Sequence, residues 1–150
     1  MSAQLPRRAN PLFRLYMLSQ LVDSLLGREL RAAGVPEGFG LYSAIGVLGR
    51  VTPKDLADVI GMPPTTLTGH IDRLVREGVV RRVTNPADGR SYLVELTESG
   101  AEVWQAGWPA LRTTLAALEA ELDRPVDEVL EVLEALDAAL RRALARSSSS

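Results

Sequence analysis

Cysteine is absent from the 150 residues, which excludes a disulfide, a thiol redox switch and a cysteine-ligated metal. Histidine occurs once, as His70, too little for a His-rich metal site or a histidine dyad. Lysine also occurs once, as Lys54, so nearly all the positive charge is arginine. No uncharged apolar run approaches the ~20 residues of a membrane-spanning helix. The N-terminus has no basic region followed by a long apolar run, so no secretory signal is expected. There is no nucleophile motif, no Gly-rich phosphate loop, no clustered carboxylates and no metal-ligand spacing. These absences point to a cytoplasmic protein that is neither an enzyme nor a carrier of a metal or cofactor. Ser43, Ser91 and Ser99 are then structural or phosphate-facing.

What is present suits one folded unit over residues 1–150. Hydrophobic residues make up 46% and charged residues 24%, enough for a real core and too mixed for overall disorder. The net charge of −2 hides an uneven distribution. Residues 1–49 carry five arginines against three acids, and residues 50–94 carry seven cations against five acids. Residues 95–150 carry five arginines against eleven acids. A slightly positive front on an acidic C-terminal third fits a nucleic-acid binder better than the total does, although so small an excess also fits ordinary charge scatter.

The chain is organised around residues 52–97. TPKDLADVIG predicts a short helix with Thr52 as N-cap, Pro53 in the first turn, Asp55 at the positive dipole end and Gly61 as the stop. GMPP re-aims the chain into a second helix over about Pro64 to Glu77. At about 100° per residue, Leu67, Ile71, Leu74 and Val75 share a core face. Thr65, Thr66, Gly69, Arg73 and Arg76 lie opposite, with Thr68 and His70 on the flanks. Small residues at the start of a helix admit close approach to bases and phosphates, and arginines further along can grip phosphate or read guanine. Alone, this helix would equally be an amphipathic helix with a solvated charged face. Two short helices joined by a Gly-containing turn match a helix-turn-helix.

Gly78 closes the second helix. VVRRVT and YLVELT then predict two strands, the latter alternating Tyr92, Val94 and Leu96 with Leu93 and Glu95. NPADGRS between them is turn chemistry. Arg90 stands at the tip, with Asp88 placed to hold its guanidinium by charge-assisted hydrogen bonds. A surface ion pair of no consequence is the plainer alternative. A helix for one groove followed by a hairpin for the next is a winged helix-turn-helix, expected over residues 39–97.

The flanks are helical. PLFRLYMLSQLVDSLLGRELRAAG has a wide apolar stripe through Leu12, Leu15, Tyr16, Leu18, Val22, Leu25, Leu26 and Leu30, ended by Gly34 and Pro36. Leu41 to about Leu48 reads as a short, nearly uncharged helix whose glycines allow close packing or leave room for a ligand. Thr97 caps a long helix to about Leu122, with Trp104 and Trp108 on its apolar stripe and Pro109 as an expected kink. Val126, Val129, Leu133, Leu136, Leu140 and Leu144 form a sustained seam on a last helix. Residues 10–34 and 98–146 thus have apolar faces to spare. A twofold dimer joined through both chain ends covers them. Its paired heads would read an inverted repeat with half-sites ~10 bp apart. MSAQLPRRAN, with Arg7 and Arg8, reads as a loose leader, and SSSS as an unstructured end.

The chain resembles the MarR family of bacterial transcriptional regulators. The residues that carry the likeness are T-L-T-x-x-I-D-R-L over Thr66 to Leu74, Gly78-Val79-Val80-Arg81-Arg82, the Asp88-Gly89-Arg90-Ser91 wing, and Leu96-Thr97-Glu98-Ser99-Gly100. It implies a mainly α fold with a small β-hairpin wing, an α+β winged helix-turn-helix with long N- and C-terminal dimerisation helices. It implies double-stranded DNA as partner, a homodimer, and a repressor released by a small-molecule effector. By resemblance, Thr66, Thr68 and Arg73 contact the major groove and Arg90 the minor groove, steadied by Asp88. The whole candidate surface is Pro64, Thr65, Thr66, Thr68, Gly69, His70, Arg73, Arg76, Asp88, Arg90 and Ser91. Tyr42, Trp104 and Trp108 are the aromatic candidates for an effector crevice, with core packing as their alternative role. Two positions depart from the family pattern. Gly69 stands where a long polar residue is common, at a helix cost of about 1 kcal/mol, and Pro63 stands where a capping side chain is usual. The competing function is a winged-helix protein-interaction module; an apolar outer face on the second helix would favour it.

Overall fold

The computed structural model describes residues 10–147; the leader arginines Arg7 and Arg8 and the last three serines lie outside it. Six helices and one hairpin follow the predicted order. Helix α1 (Pro11–Ala32) starts where the Asn10 side chain accepts the Leu12 N–H at 2.9 Å. It ends in a Schellman cap: Gly34 (φ +71°) donates to the Arg31 carbonyl and Val35 to that of Leu30, so the two side chains at the cap, Leu30 and Val35, are both buried.

Helix α2 (Phe39–Leu48) begins two residues before the expected Leu41. No side chain caps it. Gly38 at φ +95° makes the entry instead, and its carbonyl accepts the N–H groups of Leu41 and Tyr42. Helices α3 (Pro53–Ile60) and α4 (Pro64–Arg76) form the helix-turn-helix. Thr52 Oγ1 accepts the Asp55 N–H at 3.1 Å, and Gly61 (φ +73°) closes α3 as its lack of a Cβ allows.

Strands β1 (Val80–Thr84) and β2 (Tyr92–Leu96) pair antiparallel with Val80 opposite Leu96 and Thr84 opposite Tyr92. Val51 adds a bridge to Val94, with N–H···O distances of 3.1 and 2.8 Å. That bridge ties the entry to α3 onto the wing. Helix α5 (Glu98–Glu121) is capped by Thr97, whose hydroxyl oxygen accepts the Gly100 N–H at 2.9 Å. Pro109 lies inside α5, and α6 (Val126–Ser147) follows.

The core is concentrated in the winged head. Tyr42, Ile45, Leu56, Leu67, Ile71, Leu74, Val80 and Val94 are fully buried there. Glycines fasten α5 to this head. A Cβ on Gly100 would stand 1.9 Å from the Val79 carbonyl oxygen, and one on Gly107 would stand 2.1 Å from the Phe39 ring. Gly46 of α2 likewise seats the Trp104 ring. The outer helices are different. Leu12, Phe13, Tyr16, Leu18, Leu21 and Val22 of α1 are about half exposed or more, as are Leu130, Val132, Leu133 and Leu144 of α6. Among its described residues α6 has none buried.

Candidate nucleic-acid interface

Helix α4 presents its start to solvent. Pro63 occupies the cap position and gives no side-chain hydrogen bond. The N–H groups of Thr65 and Thr66 fall in the first turn, where a helix offers no internal acceptor. Pro64, Thr65, Thr66, Thr68, Gly69 and Arg76 are exposed, and His70 is partly buried. A Cβ at Gly69 would meet nothing within 4 Å, so the middle of this face is open. The Thr68 hydroxyl donates to the Pro64 carbonyl at 2.9 Å, which spends its proton and leaves its lone pairs outward. Leu67, Ile71 and Leu74 point into the core and Val75 is partly buried, which sets the rotation of the helix.

The wing tip is built from side chain to backbone. Asn85 is only 9% exposed. Its carbonyl oxygen accepts the Ala87 N–H at 3.0 Å and its amide donates to Ser91 Oγ at 2.7 Å. Ser91 Oγ donates in turn to the Asp88 carbonyl at 3.3 Å. Ser91 therefore closes the loop from beneath. Asp88 corrects the sequence expectation. Its carboxylate accepts the backbone N–H of Arg90 at 3.0 Å and makes no ion pair with the guanidinium. In so tight a turn the amide two residues on lies nearer than the end of a long side chain, and the Asx geometry wins. Asn85 was read only as a turn former; nothing in its sequence context marks it as the buried hub.

Arginine pairing changes the charge account of the head. Arg50 and Arg81 both bond the Glu95 carboxylate, and Arg82 bonds Asp72 of α4 while lying 4.9 Å over the Tyr92 ring. Arg50 first and Arg81 second hold the Glu95 carboxyl below the usual range. The hydrogen bond that Arg82 donates to Asp72 raises the Arg82 pKa. Arg73 bonds Glu77 and the Glu37 carbonyl. Among the described residues of the head, Lys54, Arg76 and Arg90 make no ion pair. The Arg82–Asp72 link ties α4 to the wing across ten residues and was not visible as a pattern.

The aromatic effector candidates separate. Tyr42 is wholly buried, edge-on to Phe39, and donates to the Pro36 carbonyl at 3.2 Å. Burial, and then the charge of Glu77, push its phenol up to about 12, so it stays a donor. Trp104 lines a shallow cavity of about 300 Å³ with Ile45, Gly46, Arg50 and Glu95. Trp108 packs at 5.7 Å from Trp104 and is 36% exposed. A larger cleft, about 540 Å³, lies elsewhere, between α1 and the start of α2. Leu26, Leu30, Val35 and Phe39 form its apolar walls, with Arg31 and Glu37 also lining it. None of the three aromatic candidates lines that cleft. Among the described residues no group of His, Cys, Asp or Glu is placed to hold a metal, and no helix is long and apolar enough to cross a membrane.

The MarR family model matches residues 43–91, from α2 through the wing tip. The multiple antibiotic resistance protein MarR of Salmonella typhimurium is 37% identical over 95 residues, covering 62% of this chain and 66% of that protein, just under two thirds of its length. An uncharacterized HTH-type transcriptional regulator of Mycobacterium bovis is 36% identical over 110 residues, covering 70% of this chain and 77% of the relative. Among solved structures, a MarR mutant from E. coli complexed with operator DNA superposes with a TM-score of 0.75 at 30% identity. That match covers 92% of this chain and 99% of the other.

Proposed function

The chain belongs to the MarR family, and on that premise we propose that it is a sequence-specific DNA-binding transcriptional regulator. It works as a twofold homodimer on an inverted-repeat operator, in the cytoplasm and on the nucleoid, and represses until a small molecule releases it. The observation that carries the DNA reading is the joint exposure of a small-residue helix start and two unpaired arginines. Thr65, Thr66 and Gly69 leave α4 open. Arg76 on that helix and Arg90 on the wing are the described arginines of the head that make no ion pair, free for phosphate or groove contact. Thr68, His70, Asp88 and Ser91 act around them, as flanking contacts or as the frame of the tip. The outer face of α4 has no large exposed hydrophobic residue, which disfavours a protein-interaction module.

The dimer reading draws on the exposed leucines, valine and aromatics of α1 and the exposed leucines and valine of α6, apolar side chains that a second copy would cover. The effector reading draws on the α1–α2 cleft. Its apolar walls, with Asp23, Arg31 and Glu37 among the lining residues, suit a largely apolar small molecule with a polar group.

The test is titration of the purified protein against its own upstream region, with fluorescence anisotropy at several salt concentrations. Operator binding should be tight, should need an inverted repeat and should fall steeply with salt. Equal affinity for scrambled duplex of the same length would remove the sequence-specific reading.

A further inference from the structure

One arginine on the outer side of α4 does not face outward. Arg73 Nη1 donates to the Glu37 carbonyl at 3.3 Å and to the two Glu77 carboxylate oxygens at 3.1 and 3.2 Å. Its side chain is 30% exposed. The guanidinium sits against the backbone of Gly38, where a Cβ would stand 2.9 Å from Nη2. Glu37 and Gly38 also form part of the wall of the α1–α2 cleft. The preceding carbonyl, Pro36, is held by the buried Tyr42 hydroxyl. Two successive carbonyls of the cleft wall are thus anchored, one to the core and one to α4.

We propose that Arg73 is a positioning strut that links the wall of the α1–α2 cleft to α4, so that filling the cleft changes how α4 is presented, and that Arg73 does not itself grip DNA. Three features of the geometry support this. The carboxylate of Glu77 neutralises the guanidinium, which weakens it as a phosphate ligand. The planar guanidinium has fixed donor directions, so the bonds of its Nη1 to a carbonyl of the cleft wall and to a carboxylate of α4 define an orientation. The pair is partly exposed and contributes little stability; its effect is on where α4 stands. Any displacement of residues 36–38 by a molecule in the cleft reaches α4 through this contact. The inference rests on the regulatory reading above and deepens it.

Salt dependence separates a strut from a grip. A lost phosphate contact lowers the slope of log affinity against log salt by about 0.9. For Arg73→Gln, operator affinity should fall roughly 2- to 30-fold, the size of a positional coupling, with the slope unchanged. Arg73→Lys keeps the charge, but its ammonium ends one bond short of Nη1 and cannot reach both acceptors from the same backbone position, so it should resemble Arg73→Gln. Arg90→Gln is the control that should lower the slope. A slope reduced by about one unit in Arg73→Gln, with Arg73→Lys close to wild type, overturns the proposal. The link to the cleft is tested with a tethered occupant. Gly40 lines the cleft, and a Cβ there meets nothing within 4 Å. Gly40→Phe, with Gly40→Leu as a second filler should the first melt early, should weaken operator binding in the wild-type background and add nothing in Arg73→Gln. No loss in either filler, or equal loss in both backgrounds, removes the link. If wild type itself fails to select an operator, the regulatory reading fails first, and that result is distinct from either.

Discussion

The winged head and the two chain ends both carry many large apolar residues, to opposite effect. In the head, Leu56, Leu67, Ile71, Leu74 and Val94 are closed off from solvent by elements close in sequence. Along α1 and α6, Tyr16, Leu21, Leu133 and Leu144 are each at least half exposed. The head is complete in one chain. The ends are left open, and in the dimer proposed above a second copy of the same surfaces would cover them. On that reading stability and association are held in separate places, and the residues proposed to face DNA lie in the part whose core is complete in one chain.

This contrast can be broken or sharpened by substitution. The largest effect is expected at the seam. Leu133→Asp would bury an unpaired charge in each copy, a penalty of ~3–5 kcal/mol per site. Sedimentation at micromolar concentration should show a monomer whose head still unfolds cooperatively; a dimer indistinguishable from wild type would locate the interface elsewhere. Next is the core of the head. Ile71→Ala should destabilise by ~2–5 kcal/mol, read as a lower chemical-denaturation midpoint, with dimerisation retained under native conditions. If it dissociates the dimer instead, the two regions are not independent. Arg90→Ala touches neither core nor seam. It should cost ~1–3 kcal/mol in operator binding and reduce the salt slope, while melting and sedimentation stay put. Unchanged binding would mean that the wing tip stays clear of the duplex.

The smallest effect is at the base of the wing. Arg50 and Arg81 hold the Glu95 carboxyl below its usual value of 4.5. A depressed folded-state pKa contributes stability that is present above 4.5 and is lost as pH falls through the lower value in the folded state. Glu95→Gln should flatten the acid limb of the stability profile in that window and leave neutral-pH operator binding nearly unchanged. An acid limb identical to wild type would show that the paired arginines carry no linkage.

Local features were legible in the sequence. Thr52, Thr97, Gly61 and Gly78 were expected at helix boundaries and stand there, because a cap is chosen by residues within a few positions. The start of α2 was misplaced because Gly38 caps by backbone conformation and leaves no polar side chain to read. Contacts across the chain were not legible. The Val51–Val94 bridge, the Asp72–Arg82 bond and the turning of Arg73 onto Glu37 join residues whose spacing has no period. The same holds for the small side of α5: Gly100 and Gly107 carry no side chain whose pattern could be read, and they are where α5 meets Val79 and Phe39 closely.

By itself the sequence determined the order of the elements, the apolar faces and the position of a cationic hairpin tip. Each of these follows from helical or strand periodicity and from the backbone preferences of single residues. Tertiary structure decided which arginines remain free. A guanidinium on a flexible stem pairs with whatever carboxylate or carbonyl the fold brings within about 3 Å, and that neighbour is set by packing between elements.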